Sequence, residues 1–403
     1  MSKLKGNLLV AQSGGPTAVI NCTLQGVVDQ AMQHDEIEGI YGAHEGIKGF
    51  MEEDIFDLRQ ESAETIAGLR STSASILNSC RYKVGPEDLE RIFNVIEAQN
   101  IRYFFIIGGN DTQDTANEVS KYALAHNYDL RVAGLPKTID NDLMITDHSP
   151  GYGSAARYAA ITTMDLSREL DSLKSTTPVT ILETFGQTNG WLPGAAALAK
   201  QNEDDGPHLI YTSEKNLPIS QILSDIEDCY RKFGKVLVVV GEGVSDDKGV
   251  PLGRTSATAG GGFKADMFGD AANNLRRLVI ENLGVLARCC VPGAALQCSI
   301  TCQSQTDADE AYEIGRWAVR RCVEEQETDF MPAIVRDSTD PYSWHLEPAP
   351  LEKVANDKQA MPKNFINDAG NYVTEDFLNY LRPLVGPLPK YSTLKGVQVA
   401  NKL

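Results

Sequence analysis

IRYFFIIGGNDTQDTANEVSKYALAHNYDLRVAGLPKTIDNDL, residues 101–143, decides the fold class. From Tyr103 to Ile107 the run is unbroken apolar and aromatic sequence that stops at Gly108-Gly109. That pattern reads as a strand buried on both faces. "TQDTANEVSKYALAH" follows with helical character, and "LRVAGL" reads as the next strand. Strand, helix, strand in this order predicts a parallel pair with a helical crossover.

The same rhythm extends both ways. Upstream, "NLLVAQ" is a short strand ending in Ser13-Gly14-Gly15-Pro16, with a helix from Thr17. "PEDLERIFNVIEAQN" places Leu89, Ile92, Phe93 and Ile96 on one helical face, with Pro86 near its start. Downstream, "TPVTILETFG" and "KVLVVVGEG" read as strands, and "PISQILSDIEDCYRKFG" as an amphipathic helix with Gly234 as its stop. "DAANNLRRLVIENLG" is a further helix with a Gly stop, and after about residue 330 the chain reads as Pro-rich and irregular. The expectation is an α/β protein with mainly parallel sheets, and 403 residues suggest two domains.

Composition narrows the function. A formal net charge of -18 argues against nucleic acid as a partner, because phosphate backbones need clustered Lys and Arg. The longest apolar runs are far below the roughly 20 residues of a membrane span. The apolar run at the N-terminus is too short for a signal peptide, so a cytoplasmic location is expected. Cys289, Cys290, Cys298 and Cys302 contain no C-x2-C pair and have no nearby His, and read as free thiols.

Open α/β sheets bind ligands beyond the carboxyl ends of their strands. Four such ends here carry Gly or polar groups: Gly14-Gly15, Gly108 to Asp111, Lys137 to Asp142, and Gly241-Glu242-Gly243. No P-loop string occurs, and "GYGSAA" at 151–156 lacks the preceding strand of a dinucleotide site. Phosphoryl transfer needs donors that cradle phosphate, a cation, a metal and a base for the acceptor hydroxyl. "GGNDT" offers backbone N–H groups and oxygen ligands suited to Mg²⁺. "PKTIDND" offers a Lys and two carboxylates, and on an extended chain Asp140 and Asp142 would point the same way.

Taken in order, "QSGGPTAVIN", "GGNDTQDTA", "GLPKTIDNDL", "GYGSAARYAA", "GEG" and "MPAIVRDSTDPYSWHLEPAPLEKVAN" resemble the phosphofructokinase family, in particular its diphosphate-dependent branch. The resemblance implies two Rossmann-like three-layer domains with the site in the cleft between them. Residues 1–150 plus about 298–345 would bind the donor, about 151–297 the acceptor, and about 346–403 would form a wrapping tail. It implies Asp140 as base, assisted by Thr138, Asp142 and Lys137. Gly14, Gly15, Arg81, Asp111 and Lys137 would hold diphosphate, and Asn110 and Asp111 would hold Mg²⁺. The acceptor would meet Thr138, Ile139, Asp140, Phe185, Gly186, Gln187, Glu242, Ala294 and Gln297. A homodimer or homotetramer is implied as well.

Two departures from the ATP-using pattern favour diphosphate. Asp111 and Lys137 stand where that branch has glycines. A carboxylate at 111 would repel the α-phosphate of a nucleotide, and a Lys at 137 would stabilise a leaving phosphate. The family often has Asp where Asn110 sits, so the amide brings oxygen but no charge. The acceptor pocket departs further. Gln187 and Gln297 replace expected arginines, Ala294 replaces a His or Tyr, and Pro178 replaces a basic residue. Each charge-assisted bond to phosphate is worth roughly 1.5–3 kcal/mol, so their joint loss suggests an unphosphorylated sugar or polyol as acceptor. Arg288 remains as a nearby cation, and the alternatives are fructose 6-phosphate held by other basic residues, such as those of the tail or a neighbouring subunit, and a non-catalytic paralogue. Retention of Asp140, Asp142, Lys137 and Asp111 favours an enzyme.

Overall fold

The strands, in chain order, are β1 Gly6–Gln12, β2 Ile37–Ala43, β3 Ile55–Asp57, β4 Ile101–Gly108, β5 Arg131–Pro136, β6 Val179–Thr184, β7 Leu209–Tyr211, β8 Val236–Gly241, β9 Thr255–Thr258, β10 Lys264–Met267, β11 Ala287–Cys290, β12 Phe330–Thr339 and β13 Tyr342–Pro350. They are seen in a computed structural model that describes residues 4–253, 255–258, 264–267, 269–355, 357–394, 397 and 399. One sheet has the order β13-β12-β5-β4-β1-β2-β3, and a second has the order β11-β6-β8-β7. β1, β2, β4 and β5 run parallel, as do all four strands of the second sheet. β9 and β10 form a separate antiparallel pair.

Both sheets are covered on both faces, which is why their central strands are uninterrupted apolar runs. In β1, Leu8 and Val10 face one core while Leu9 and Ala11 face the other. The first core is closed by the helices Ile20–Ala31 and Gln305–Glu324, the other by Pro86–Ala98 and Asn110–Ala125. In the second sheet, Val236, Val238 and Val240 pack under the helices Ile219–Phe233 and Ala271–Leu283. Leu182 and Val239 face the helices Tyr152–Leu173 and Glu375–Val385. Gly234 and Gly284 end their helices at φ 69° and 66°, the left-handed stop that glycine supplies.

The helices Ile20–Ala31 and Gln305–Glu324 touch backbone to backbone. A Cβ on Gly26 would lie 2.0 Å from the carbonyl oxygen of Tyr312, and one on Gly315 would lie 2.2 Å from that of Thr23. Only glycine allows this approach.

The stretch after residue 330 is not irregular. It forms the antiparallel hairpin β12–β13, with Pro332 opposite Pro348. Phe330, Met331, Ala333 and Ile334 are buried, and they carry the strand signal that the prolines mask. The hairpin lies at the sheet edge, where a missing proline N–H costs no ladder bond. β13 also runs to Pro350, so the first sheet extends past residue 346, where the sequence predicts a tail. The helix Glu375–Val385 is a core element, with Phe377 and Leu381 fully buried.

Candidate active site

The carboxyl ends of β1, β4, β5, β6 and β8 converge. After β1 the loop Ser13–Pro16 turns through Gly14 at φ 76°. It is fastened by Ser13 N–H to the Ile107 carbonyl (2.8 Å), Gly14 N–H to the Cys80 carbonyl (3.1 Å), and Ser79 Oγ donating to the Gly14 carbonyl (2.7 Å). These bonds bring the neighbouring Arg81 to the same place. The ends enclose a cleft of about 320 Å³. Gly15, Arg81, Lys137, Thr138, Ile139 and Asp140 line it from the first sheet's side; Phe185, Gln187, Glu242 and Gln297 line it from the other. Pro16 and Thr17 line it too. The sequence does not single them out by chemistry, although they directly follow Gly14-Gly15.

Lys137 is buried, and its Nζ donates to the Gly15 carbonyl at 2.6 Å. Burial pushes it down to about 8; Arg81 adds to the fall, and Asp140 and Asp142 oppose it. Asp140 is pushed up to about 6, first by burial and then by Asp142, against Lys358, Lys137 and Arg81. Glu242, across the cleft, is pushed up to about 7 by burial and by the charges of Asp140 and Glu183. Carboxyls held near neutrality and a lysine lowered toward it make a site suited to proton transfer. Thr138 Oγ1 accepts from the Asp140 N–H at 3.0 Å, which leaves its hydroxyl proton to donate elsewhere.

Asp140 and Asp142 do not point the same way. Asn141 between them has φ 53°, which breaks the extended geometry. Asp140 lines the cleft; Asp142 is buried, accepts from Asn110 Nδ2 at 2.9 Å, and pairs with Lys358 at 3.4 Å. Asn110 and Asp111 open the helix Asn110–Ala125 and lie outside the residues that line the cleft. Asn110 Oδ1 is buried without a partner, and Asp111 is exposed beside it. Among the described residues no group of three His, Cys, Asp or Glu could hold a metal. Two protein oxygens suit Mg²⁺, which keeps most of its shell as water and substrate phosphate.

Gly14, Gly186 and Ala294 also lie behind the lining rather than in it. A Cβ on Gly14 would meet Lys137 Nζ at 3.3 Å. Gly186, at φ 141°, carries Phe185 and Gln187 into the cleft. Ala294 is exposed, and Pro178 sits at the far end of β6, where its carbonyl accepts from Val236 N–H at 2.8 Å. Gln297 crosses from the second side to within 3.0 Å of where a Gly15 Cβ would be. Arg288 is no cation for the cleft, because its guanidinium is spent on both oxygens of Glu169 and on Thr180. Both described cations of the lining, Arg81 and Lys137, therefore belong to the first side. "GYGSAA" starts the helix Tyr152–Leu173, and Asp307 takes the Gly151 and Ser154 N–H groups at 2.8 Å each. Those amides are occupied.

Comparison with known proteins gives the family and the fold. Residues 7–320 fit the family described as phosphofructokinase. A pyrophosphate–fructose 6-phosphate 1-phosphotransferase from Halomonas elongata is 38% identical over 413 residues, covering 98% of each chain. A more distant relative, a sulfofructose kinase from Alkalicoccus urumqiensis, is 29% identical over 90% of this chain and 92% of its own. The crystal structure of a pyrophosphate-dependent phosphofructokinase from Marinobacter aquaeolei superposes with a TM-score of 0.87 at 35% identity, over 99% of this chain and 98% of that one. With most of its length matched and its strand ends converging as they do, the chain belongs to the phosphofructokinase family.

Proposed function

We propose that the protein moves a phosphoryl group from diphosphate to a hydroxyl of an unphosphorylated sugar or polyol. The observation that carries this reading is the one-sided charge of the cleft. Among the described residues, the cations that line the cleft, Lys137 and Arg81, stand together on the donor side, and the opposite wall is formed by Phe185, Gln187, Glu242 and Gln297. Asp140 takes the proton from the attacking hydroxyl, which Thr138 and Glu242 orient. Lys137 and Arg81 stabilise the charge that gathers on the departing phosphate. Asp111, exposed at the helix start, disfavours a nucleotide by repelling its α-phosphate. Asn110 Oδ1 and the Asp111 carboxylate would hold Mg²⁺, which when bound neutralises charge on the diphosphate oxygens.

A second reading is fructose 6-phosphate as acceptor. The name of the Halomonas elongata relative, a fructose 6-phosphate phosphotransferase, favours it, with cations supplied from a second copy of the chain. The experiment mixes protein, Mg²⁺ and either diphosphate or ATP with fructose 6-phosphate, fructose and free polyols. Acceptor-dependent phosphate release from diphosphate with an uncharged acceptor supports the first reading. Efficient turnover of fructose 6-phosphate replaces it with the second. Equal or better use of ATP defeats the donor assignment.

A further inference from the structure

The reaction loop is held from far along the chain. Asn141 is buried, and both ends of its amide are engaged: Nδ2 donates to Tyr380 Oη at 3.0 Å, and Oδ1 accepts from Ser149 N–H at 3.0 Å. Asn enters the left-handed region more readily than other non-glycine residues, and the bonds of its side chain then decide how firmly it is held there. Tyr380 supplies such a bond from outside the loop. Its own hydroxyl donates to the Asp147 carbonyl at 2.9 Å, so it clips both ends of the segment 141–147.

Tyr380 is itself clamped. The Arg336 guanidinium lies 4.5 Å over its ring, donates to its carbonyl at 2.9 Å, and grips the Asp147 carboxylate at 2.8 Å. His148 joins Asp147 at 2.8 Å to Glu310 at 2.6 Å, and Tyr342 donates to Glu310. The helix bearing Tyr380 is tied down again at its end, where Thr306 Oγ1 donates to the Pro383 carbonyl at 3.0 Å. Three distant elements therefore meet on residues 141–148: the strand β12, the helix Gln305–Glu324 and the helix Glu375–Val385.

We infer that Tyr380 is a positioning residue for phosphoryl transfer: by holding Asn141 left-handed, it turns Asp140 into the cleft and Asp142 toward Asn110. This rests on the reading of Asp140 as the base. The groups that bear on Asp140 are Asp142, Lys358, Lys137, Arg81 and Glu242. If the loop relaxes, Asp140 leaves the burial and the Asp142 charge that raise it.

The test uses Tyr380→Phe, which keeps the ring and its packing and removes only the hydroxyl. Expected is a kcat lower by roughly 10–100-fold, the cost of a misplaced reacting group, with KM for diphosphate little changed. The acid limb of the pH profile should move toward the ordinary carboxylate range. Asn141→Ala should reproduce the loss, and the double variant should be no worse than the poorer single one. Rates are read as phosphate release from diphosphate with fructose 6-phosphate or fructose, whichever the wild type turns over. A crystal structure of Tyr380→Phe needs no acceptor: a left-handed Asn141 with Asp140 still in the cleft overturns the inference. So does an unchanged kcat and pH profile. An Asp140→Asn variant that stays active would instead defeat the underlying reading of the base, whatever Tyr380 does.

Discussion

The two walls of the cleft differ in kind. The first sheet's side presents Arg81, a buried Lys137, and a glycine loop fastened by backbone bonds. The second sheet's side presents an aromatic ring, two amides and a carboxyl raised by burial. On the proposed reading the first receives diphosphate and the second a hydroxyl-bearing acceptor, with charge complementarity on one wall and hydrogen bonding on the other.

Asp140 lines the first sheet's side and bears on Glu242 across the cleft, and its removal should break the comparison most completely. Asp140→Asn should lower kcat by about 10³–10⁴-fold, at the upper end for a general base, with diphosphate binding by calorimetry retained. Next comes Lys137→Met, which should cost about 10²–10³ in kcat if it stabilises the departing phosphate. A variant that instead raises only KM for diphosphate would make Lys137 a binding group. The acceptor wall can be recharged. Gln187→Arg or Gln297→Arg should improve kcat/KM for a phosphorylated sugar by roughly tenfold or more, one charge-assisted bond to phosphate. No gain would mean that the phosphate, if any, is met elsewhere.

The pH profile sharpens the comparison further. A base must be deprotonated, so kcat/KM should rise with pH through about 6 as Asp140 ionises. It should fall through about 8 as Lys137 loses its proton. Asp140→Glu should move the first limb and Lys137→Arg should abolish the second. The smallest effect lies outside the cleft. Burial alone would lower His148, but Glu310 and Asp147 raise it from 6.5 to about 9. Stability from a raised histidine is full below its unfolded value and is lost as pH rises through the folded one. Melting of the wild type should therefore lose about 1–3 kcal/mol between pH 6.5 and 9.5 that His148→Gln does not lose.

Strand ends rich in glycine, and the string around Asp140, were legible in the sequence because they rest on local chemistry. The glycine after each apolar run reports a turn, and "PKTIDND" gains its meaning from standing with the other strand-end motifs, since alone it reads as a solvated turn. What distinguishes Asp140 from Asp142 was not legible. Their spacing of two suggests a shared direction, which the φ of 53° at Asn141 cancels, and the Tyr380 hydroxyl that bonds the Asn141 amide lies 239 positions away. Arg288 was misleading for a similar reason: its charge is visible in the sequence, but its commitment from β11 to Glu169 on the helix Tyr152–Leu173 is not. The hairpin after residue 330 was hidden by prolines, whose tolerance there depends on lying at a sheet edge, a property of the assembled fold.

The backbone contact at Gly26 and Gly315 has a consequence for how the protein is made. The sheet that starts with the first strand cannot be covered until the helix Gln305–Glu324 has been synthesised, whereas every strand of the second sheet precedes that helix. At ribosomal speeds of about 5–20 residues per second, the roughly 300 residues between Gln12 and Gly315 take on the order of 15–60 s. For that interval Leu24 and Val27 have no partner helix. Both sheets therefore wait for late chain, the first for the helix Gln305–Glu324 and the second for the helix Glu375–Val385, so the newborn chain carries two half-covered sheets until those helices emerge.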